Sequence, residues 1–165
     1  MDTIIKDLGL LINATLVATP PLLYAALGSC FSERSGVVNI GIEGMMTIGA
    51  FTGAAVALFT GNGWFAFFCG GLAGALFGLI HAIACVTFGA DQTISGTAIN
   101  FLAPGLAVFL CKAMFDNSTD TPPIDTASKL PKLLDGVFPV GSFANNVFST
   151  YVPAYLCFVL VLVVW

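Results

Sequence analysis

Residues 33–46 read ERSGVVNIGIEGMM and residues 91–100 read DQTISGTAIN, two polar interruptions in an otherwise strongly apolar chain. Placing an ionisable side chain within a membrane costs about 2.5–3.5 kcal/mol on insertion scales, so such a group normally faces a cavity or a partner. Glu43 is the foremost candidate for that role; as a helix-start carboxylate it would instead be held by the positive helix terminus. Asn39, Gly41 and Gly44 permit a tight, hydrogen-bonded backbone of the kind found in discontinuous membrane helices, or a permissive turn between two ordinary spans; Ser35 and Gly36 in the same stretch are further path or signature candidates. Gln92, Thr93, Ser95, Thr97 and Asn100 add neutral amides and hydroxyls. Such groups suit an uncharged, polyhydroxylated solute better than an ion.

The elements that must position these residues are membrane spans. The 165 residues are 58% hydrophobic and 8% charged, with a net charge of -4, far from the roughly 25% charged residues of soluble proteins. Charged side chains are absent from residues 8–32, 44–90, 92–111 and 136–165, and about 20 apolar residues cross a bilayer. The expected fold is therefore all-α: a polytopic transmembrane helix bundle with discontinuous helices, forming one permease-type domain. Its spans are expected over about 8–32, 44–60, 64–89 and 92–115, with the start of a fifth at 151–165. Pro20-Pro21 predicts a kink or break in the first span, since two backbone donors are missing. The polar start at 91–100 predicts an irregular beginning to the fourth.

Gly61-Asn62-Gly63 marks a tight turn, and Trp64 suits the membrane interface. The loop 116–150 gathers Pro122-Pro123, Pro131 and Pro139 with four Asp and two Lys, long enough for a small structure of its own. The last segment ends on VLVLVVW without charged flanks, which predicts a longer polytopic protein continuing past Trp165.

Gly70, Gly74 and Gly78 recur every four residues on one helix face, and Gly49 and Gly53 repeat the device, so close helix packing is expected within the bundle or at a dimer face. The single histidine, His81, lies in the third apolar span and reads as a hydrogen-bonded core residue rather than a ligand or proton relay. Five cysteines, Cys30, Cys69, Cys85, Cys111 and Cys157, sit in apolar segments without a CxxC pair or an adjoining His, and are expected to serve as small packing residues. Leu27-Gly28-Ser29-Cys30 resembles a lipoprotein cleavage site, but the N-terminus lacks a positive flank and Pro20-Pro21 splits the apolar run. The first segment is expected to stay as a span. A phosphate-binding GxxxxGK[ST] loop, HExxH and GxSxG are all missing, so no catalytic residues, no metal and no cofactor are assigned. The acidic balance, without any basic run, excludes nucleic acid as a partner.

Glu33 to Phe51, ERSGVVNIGIEGMMTIGAF, together with Ala90 to Leu110, ADQTISGTAINFLAPGLAVFL, resembles the permease subunits of bacterial ATP-binding-cassette importers for simple sugars and nucleosides, in the branched-chain amino acid/ribose-type permease superfamily. The likeness is greatest to the shorter nucleoside-type permeases, which carry a near-identical S-G-x-x-N-x-G-x-E-G-M-M signature after their first span. The resemblance implies a plasma-membrane permease that pairs with a second permease subunit as homo- or heterodimer. It further implies a cytoplasmic ABC ATPase, an external substrate-binding protein or lipoprotein, and a path for a nucleoside or simple sugar lined by the two polar interruptions. It places the N-terminus and the 116–150 loop outside, with Arg34 and Asp91 near the cytoplasm. The coupling helix that contacts the ATPase would follow the span beginning near Tyr151. Two other readings remain at this point: an ion-coupled secondary transporter using Glu43 or Asp91, and a structural membrane subunit without a solute path.

Overall fold

A computed structural model describes residues 2–132 and 150–164. Among the described residues five α-helices follow in order: α1 (Asp2–Arg34), α2 (Ile42–Thr60), α3 (Gly63–Ala82), α4 (Gln92–Met114) and α5 (Val152–Val164). Four of the described stretches are long and apolar enough to cross a membrane, Asp7–Arg34, Ile42–Thr60, Gly63–Thr87 and Gln92–Met114, and Val152–Val164 is a shorter apolar helix.

The helix ends follow local chemistry. Gly61 closes α2 in the left-handed region at φ 67°, where its N–H reaches the Ala57 carbonyl and any other residue would be strained. Asn62 then starts α3 by accepting from the Trp64 and Phe65 N–H groups at 3.0 and 3.3 Å. Asp91 does the same for α4, its Oδ1 accepting from Ile94 N–H at 2.9 Å.

Two expectations require correction. The break expected at Pro20-Pro21 does not occur, since α1 runs through both prolines as one continuous helix. The missing donors deprive only the carbonyls one turn earlier of their partners, a loss that membrane helices tolerate. Residues 92–100 are not irregular either, because the Asp91 cap gives α4 a regular start at Gln92. The irregularity lies just upstream, where α3 widens into a π-helical turn over Ile83–Thr87.

The chain divides into two compact units, the first comprising residues 1–28 and 130–165 and the second residues 29–129. In the first unit, Tyr24 Oη donates to the Pro153 carbonyl at 2.8 Å, tying α1 to α5. Lys132 pairs with Tyr151 in an isolated antiparallel bridge and holds its Nζ 5.9 Å from the Tyr151 ring centroid. The expected 116–150 loop contains a 3-10 turn at Thr126–Ser128; residues 133–149 of it lie outside the described residues.

The second unit is built on α2. Antiparallel α3 crosses it through glycine: a Cβ on Gly49 would stand 3.0 Å from the Gly70 carbonyl oxygen, one on Gly70 would stand 2.7 Å from the Gly49 oxygen, and Gly53 faces Ala66. Gly74 continues the contact against the Met45 backbone, and Gly78 lies near the Met45 sulfur. Parallel α4 approaches the other side, with Gly96 against Gly41 and Ile99 against Gly44. Ile48, Phe77, Ile99, Ala103 and Ala107 fill the space among the three helices. Phe59 stacks on Phe115 with centroids 5.9 Å apart where α2 and α4 end.

Candidate functional site

The polar interruption between α1 and α2 is a non-helical loop laid along the first turns of α4. Ser35 begins it, donating from Oγ to the Ser32 carbonyl at 2.6 Å, and Ser32 Oγ in turn donates to the Val37 carbonyl at 2.6 Å. Gly36 then takes φ 86°, a left-handed conformation that costs glycine little. Asn39 folds back on its own segment, its Oδ1 accepting from the Gly41 N–H at 3.0 Å. Its Nδ2 lies 3.4 Å from the Met45 sulfur.

Side chains from α3 and α4 pair with further groups of the loop backbone. Gln92 grips the loop with both ends of its amide: Oε1 accepts from Val38 N–H at 2.7 Å, and Nε2 donates to the Gly36 carbonyl at 3.3 Å. Asn100 acts likewise two turns further along, its Nδ2 donating to the Ile40 carbonyl at 2.9 Å and its Oδ1 accepting from Gly44 N–H at 2.8 Å. The second of these bonds satisfies a donor left without a partner at the start of α2. From α3, His81 places Nε2 3.3 Å from the Val38 carbonyl oxygen and Nδ1 2.9 Å from Ser95 Oγ.

Span length accounts for the density of these bonds. Twenty-three residues of α4 span about 34 Å at 1.5 Å per residue, little more than the roughly 30 Å hydrocarbon core. A helix crossing that layer cannot hold all of its first two turns outside, and the loop lies beside them. Irregular backbone at such depth is stable only where protein groups replace water.

The remaining site residues predicted from sequence divide by exposure. Gly41 and Gly44 are buried at the α2–α4 crossing, whereas Glu43, Thr93 and Thr97 stand exposed. Glu43 occupies the first turn of α2, and Thr97 Oγ1 donates back to the Thr93 carbonyl at 2.7 Å. None of these three contributes to the hydrogen bonds that hold the loop. Among the described residues no group of three or more His, Cys, Asp or Glu side chains gathers as a metal site.

Sequence reasoning missed two aspects of this arrangement. His81 was legible as a hydrogen-bonded core residue but not as a partner of the loop, because Val38 lies 43 positions away. Cys85, without a histidine beside it in sequence, stands one helical turn from His81 with its sulfur 3.8 and 3.9 Å from the two ring nitrogens. A histidine four residues before a cysteine on one helix was the available signal.

Helices long and apolar enough to cross a membrane, joined by a polar loop that side chains brace, define a multi-pass membrane protein with a built, non-helical element. A family model described as branched-chain amino acid transport system / permease component matches residues 11–165. The chain belongs to this permease family, a family of membrane transport components. It is 44% identical over 159 residues to the guanosine ABC transporter permease protein NupQ of Bacillus subtilis, covering 92% of this chain and 50% of that protein. It is 32% identical over 168 residues to the nucleoside ABC transporter permease protein NupC of Lactococcus lactis, covering 98% and 52%. The putative glucose ABC transporter permease protein TsgC13 of Haloferax volcanii is 43% identical over 99 residues, 60% of this chain and 30% of that protein. The chain thus spans about half the length of the first two relatives. No solved structure matches it.

Proposed function

We propose that the chain forms part of the translocation path of an ATP-binding-cassette importer for nucleosides. Likeness over nearly the whole chain to a guanosine permease and a nucleoside permease carries this reading. In it, a second permease subunit completes the path, a cytoplasmic ATPase drives alternating access, and an external binding protein delivers the solute. The braced loop supports a division of labour: Gln92 and Asn100 spend both ends of their amides on backbone and so shape the path, while exposed Glu43, Thr93 and Thr97 meet the solute. Asn39, Gly41 and Gly44 set the backbone course between them.

The test is uptake of labelled guanosine, uridine and glucose into proteoliposomes holding the full-length protein with its partner permease and ATPase, supplied with the binding protein. ATP-dependent nucleoside uptake is expected. Uptake that ignores ATP and follows an imposed ion gradient would refute the importer reading. Undiminished uptake after simultaneous Asn39→Ala and Glu43→Ala would remove the path role of those residues.

A further inference from the structure

His81 is the most buried polar side chain described, at 2% exposure, and it carries no role in the division of labour above. Its ring joins three elements. Nε2 faces the Val38 carbonyl of the loop, Nδ1 faces Ser95 Oγ of α4, and the ring itself belongs to α3. A carbonyl oxygen can only accept, so Nε2 must carry the proton. Nδ1 is then the acceptor, and the Ser95 hydroxyl donates to it. Of the two neutral tautomers, only this one satisfies both contacts.

Val38 is held from two sides, its N–H by Gln92 and its carbonyl by His81. Near this anchored peptide the Val38 and Ile40 side chains are 47% and 43% exposed, and the Ile40 Cβ lies against Gly96 of α4. Immediately beyond His81 the chain passes through the π-helical turn at Ile83–Thr87 to the Asp91 cap. That short connection fixes Ser95 relative to the ring, and π turns of this kind recur at functional sites.

We infer that His81 is a positioning residue of the transport path: its Nε2–H holds the Val38 carbonyl and thereby sets where Val38 and Ile40 stand along the path. The inference rests on the permease reading for its consequence in transport, but the strut itself is a local structural claim. Two amides separate its contacts. Glutamine reaches far enough to put an amide N–H near the position of Nε2, whereas asparagine reaches only that of Nδ1. His81→Gln therefore restores the Val38 bond, and His81→Asn retains only the Ser95 contact.

The experiment compares these variants in the full-length transporter with its partners, by hydrogen exchange of the loop peptide and by nucleoside uptake. Exchange of residues 35–44 should quicken at least tenfold in His81→Asn and stay within about threefold of wild type in His81→Gln. Peptides covering the Gly49 and Gly70 crossing should be unchanged in both, which separates loss of the strut from general loosening. Maximal uptake should fall at least tenfold in His81→Asn, with the half-saturating concentration of loaded binding protein within twofold, and recover in His81→Gln. Slow loop exchange in His81→Asn, or equally fast exchange in both variants, overturns the strut. The expected exchange contrast with undiminished uptake overturns the positioning role in transport. A wild-type transporter that moves no nucleoside overturns the permease reading instead, and the exchange contrast then decides the strut by itself.

Discussion

The Gly44 N–H points into the Asn100 side-chain oxygen at 2.8 Å, and a Cβ on Gly44 would stand 2.6 Å from the carbonyl oxygen of neighbouring Ile99. The absent side chain is thus what lets the first turn of α2 reach the amide on α4. The same amide returns a donor to the Ile40 carbonyl, so one side chain joins the end of the loop to the start of the helix.

Replacing Asn100 with Leu keeps much of its volume while stranding a half-buried donor and acceptor. Leaving such groups unsatisfied costs about 1–3 kcal/mol each, and the expected loss is about 2 kcal/mol because partial exposure lets water compensate. Thermal unfolding of the purified protein in detergent should show a lower midpoint for Asn100→Leu. An unchanged midpoint would mean that the two bonds are replaced without cost.

Gln92 holds the other end of the loop, and its contacts require an acceptor and a donor together. Gln92→Glu preserves the acceptor for Val38 N–H but aims a second carboxylate oxygen at the Gly36 carbonyl. The loss should be about 1 kcal/mol, in line with one ordinary hydrogen bond, and Gln92→Ala should lose more. Hydrogen exchange of the loop peptide should rank wild type slowest, glutamate next and alanine fastest. Equal exchange in all three would contradict the bracing role.

The spans were legible from sequence because hydropathy and charge-free length act locally, and so was the Gly61-Asn62 turn, where a left-handed glycine and an amide cap adjoin. The bracing was not. Gln92 and Gly36 lie 56 positions apart, and Asn100 and Ile40 lie 60 apart; no local pattern encodes such pairings. Candidate residues could be singled out as polar groups in an apolar setting, but which of them hold backbone and which stand exposed is decided by helix rotation. At Pro20-Pro21 the break failed to appear for the opposite reason: the local rule is sound, but a long membrane helix outlasts the loss of two internal bonds.

Adjacent glycines on α3 give a sharp test of the helix crossing. A Cβ on Gly70 would lie 2.7 Å from the Gly49 carbonyl oxygen, whereas one on Gly71 meets nothing within 4 Å. Gly70→Ala must push α2 and α3 apart, and overpacking of this kind costs about 1–3 kcal/mol. Gly71→Ala should be neutral or slightly stabilising, since alanine is the better helix former by about 1 kcal/mol. Comparable thermal midpoints for the two variants would rule out the close crossing.

Asp91 separates an importer from ion-coupled transport. Its Oδ1 accepts from Ile94 N–H at 2.9 Å and starts α4, a task that asparagine performs equally well and that needs no proton exchange. Asp91→Asn should therefore keep ATP-dependent uptake within about twofold of wild type, whereas Asp91→Ala should lose about 1 kcal/mol of stability. A residue that coupled protons would behave differently, because its amide variant cannot release a proton and accumulation driven by a pH gradient would stop. Measuring uptake by the two variants with ATP, and again with an imposed pH gradient alone, distinguishes the roles: preserved ATP-driven uptake in Asp91→Asn marks a helix cap, and selective loss of gradient-driven uptake marks a coupling carboxylate.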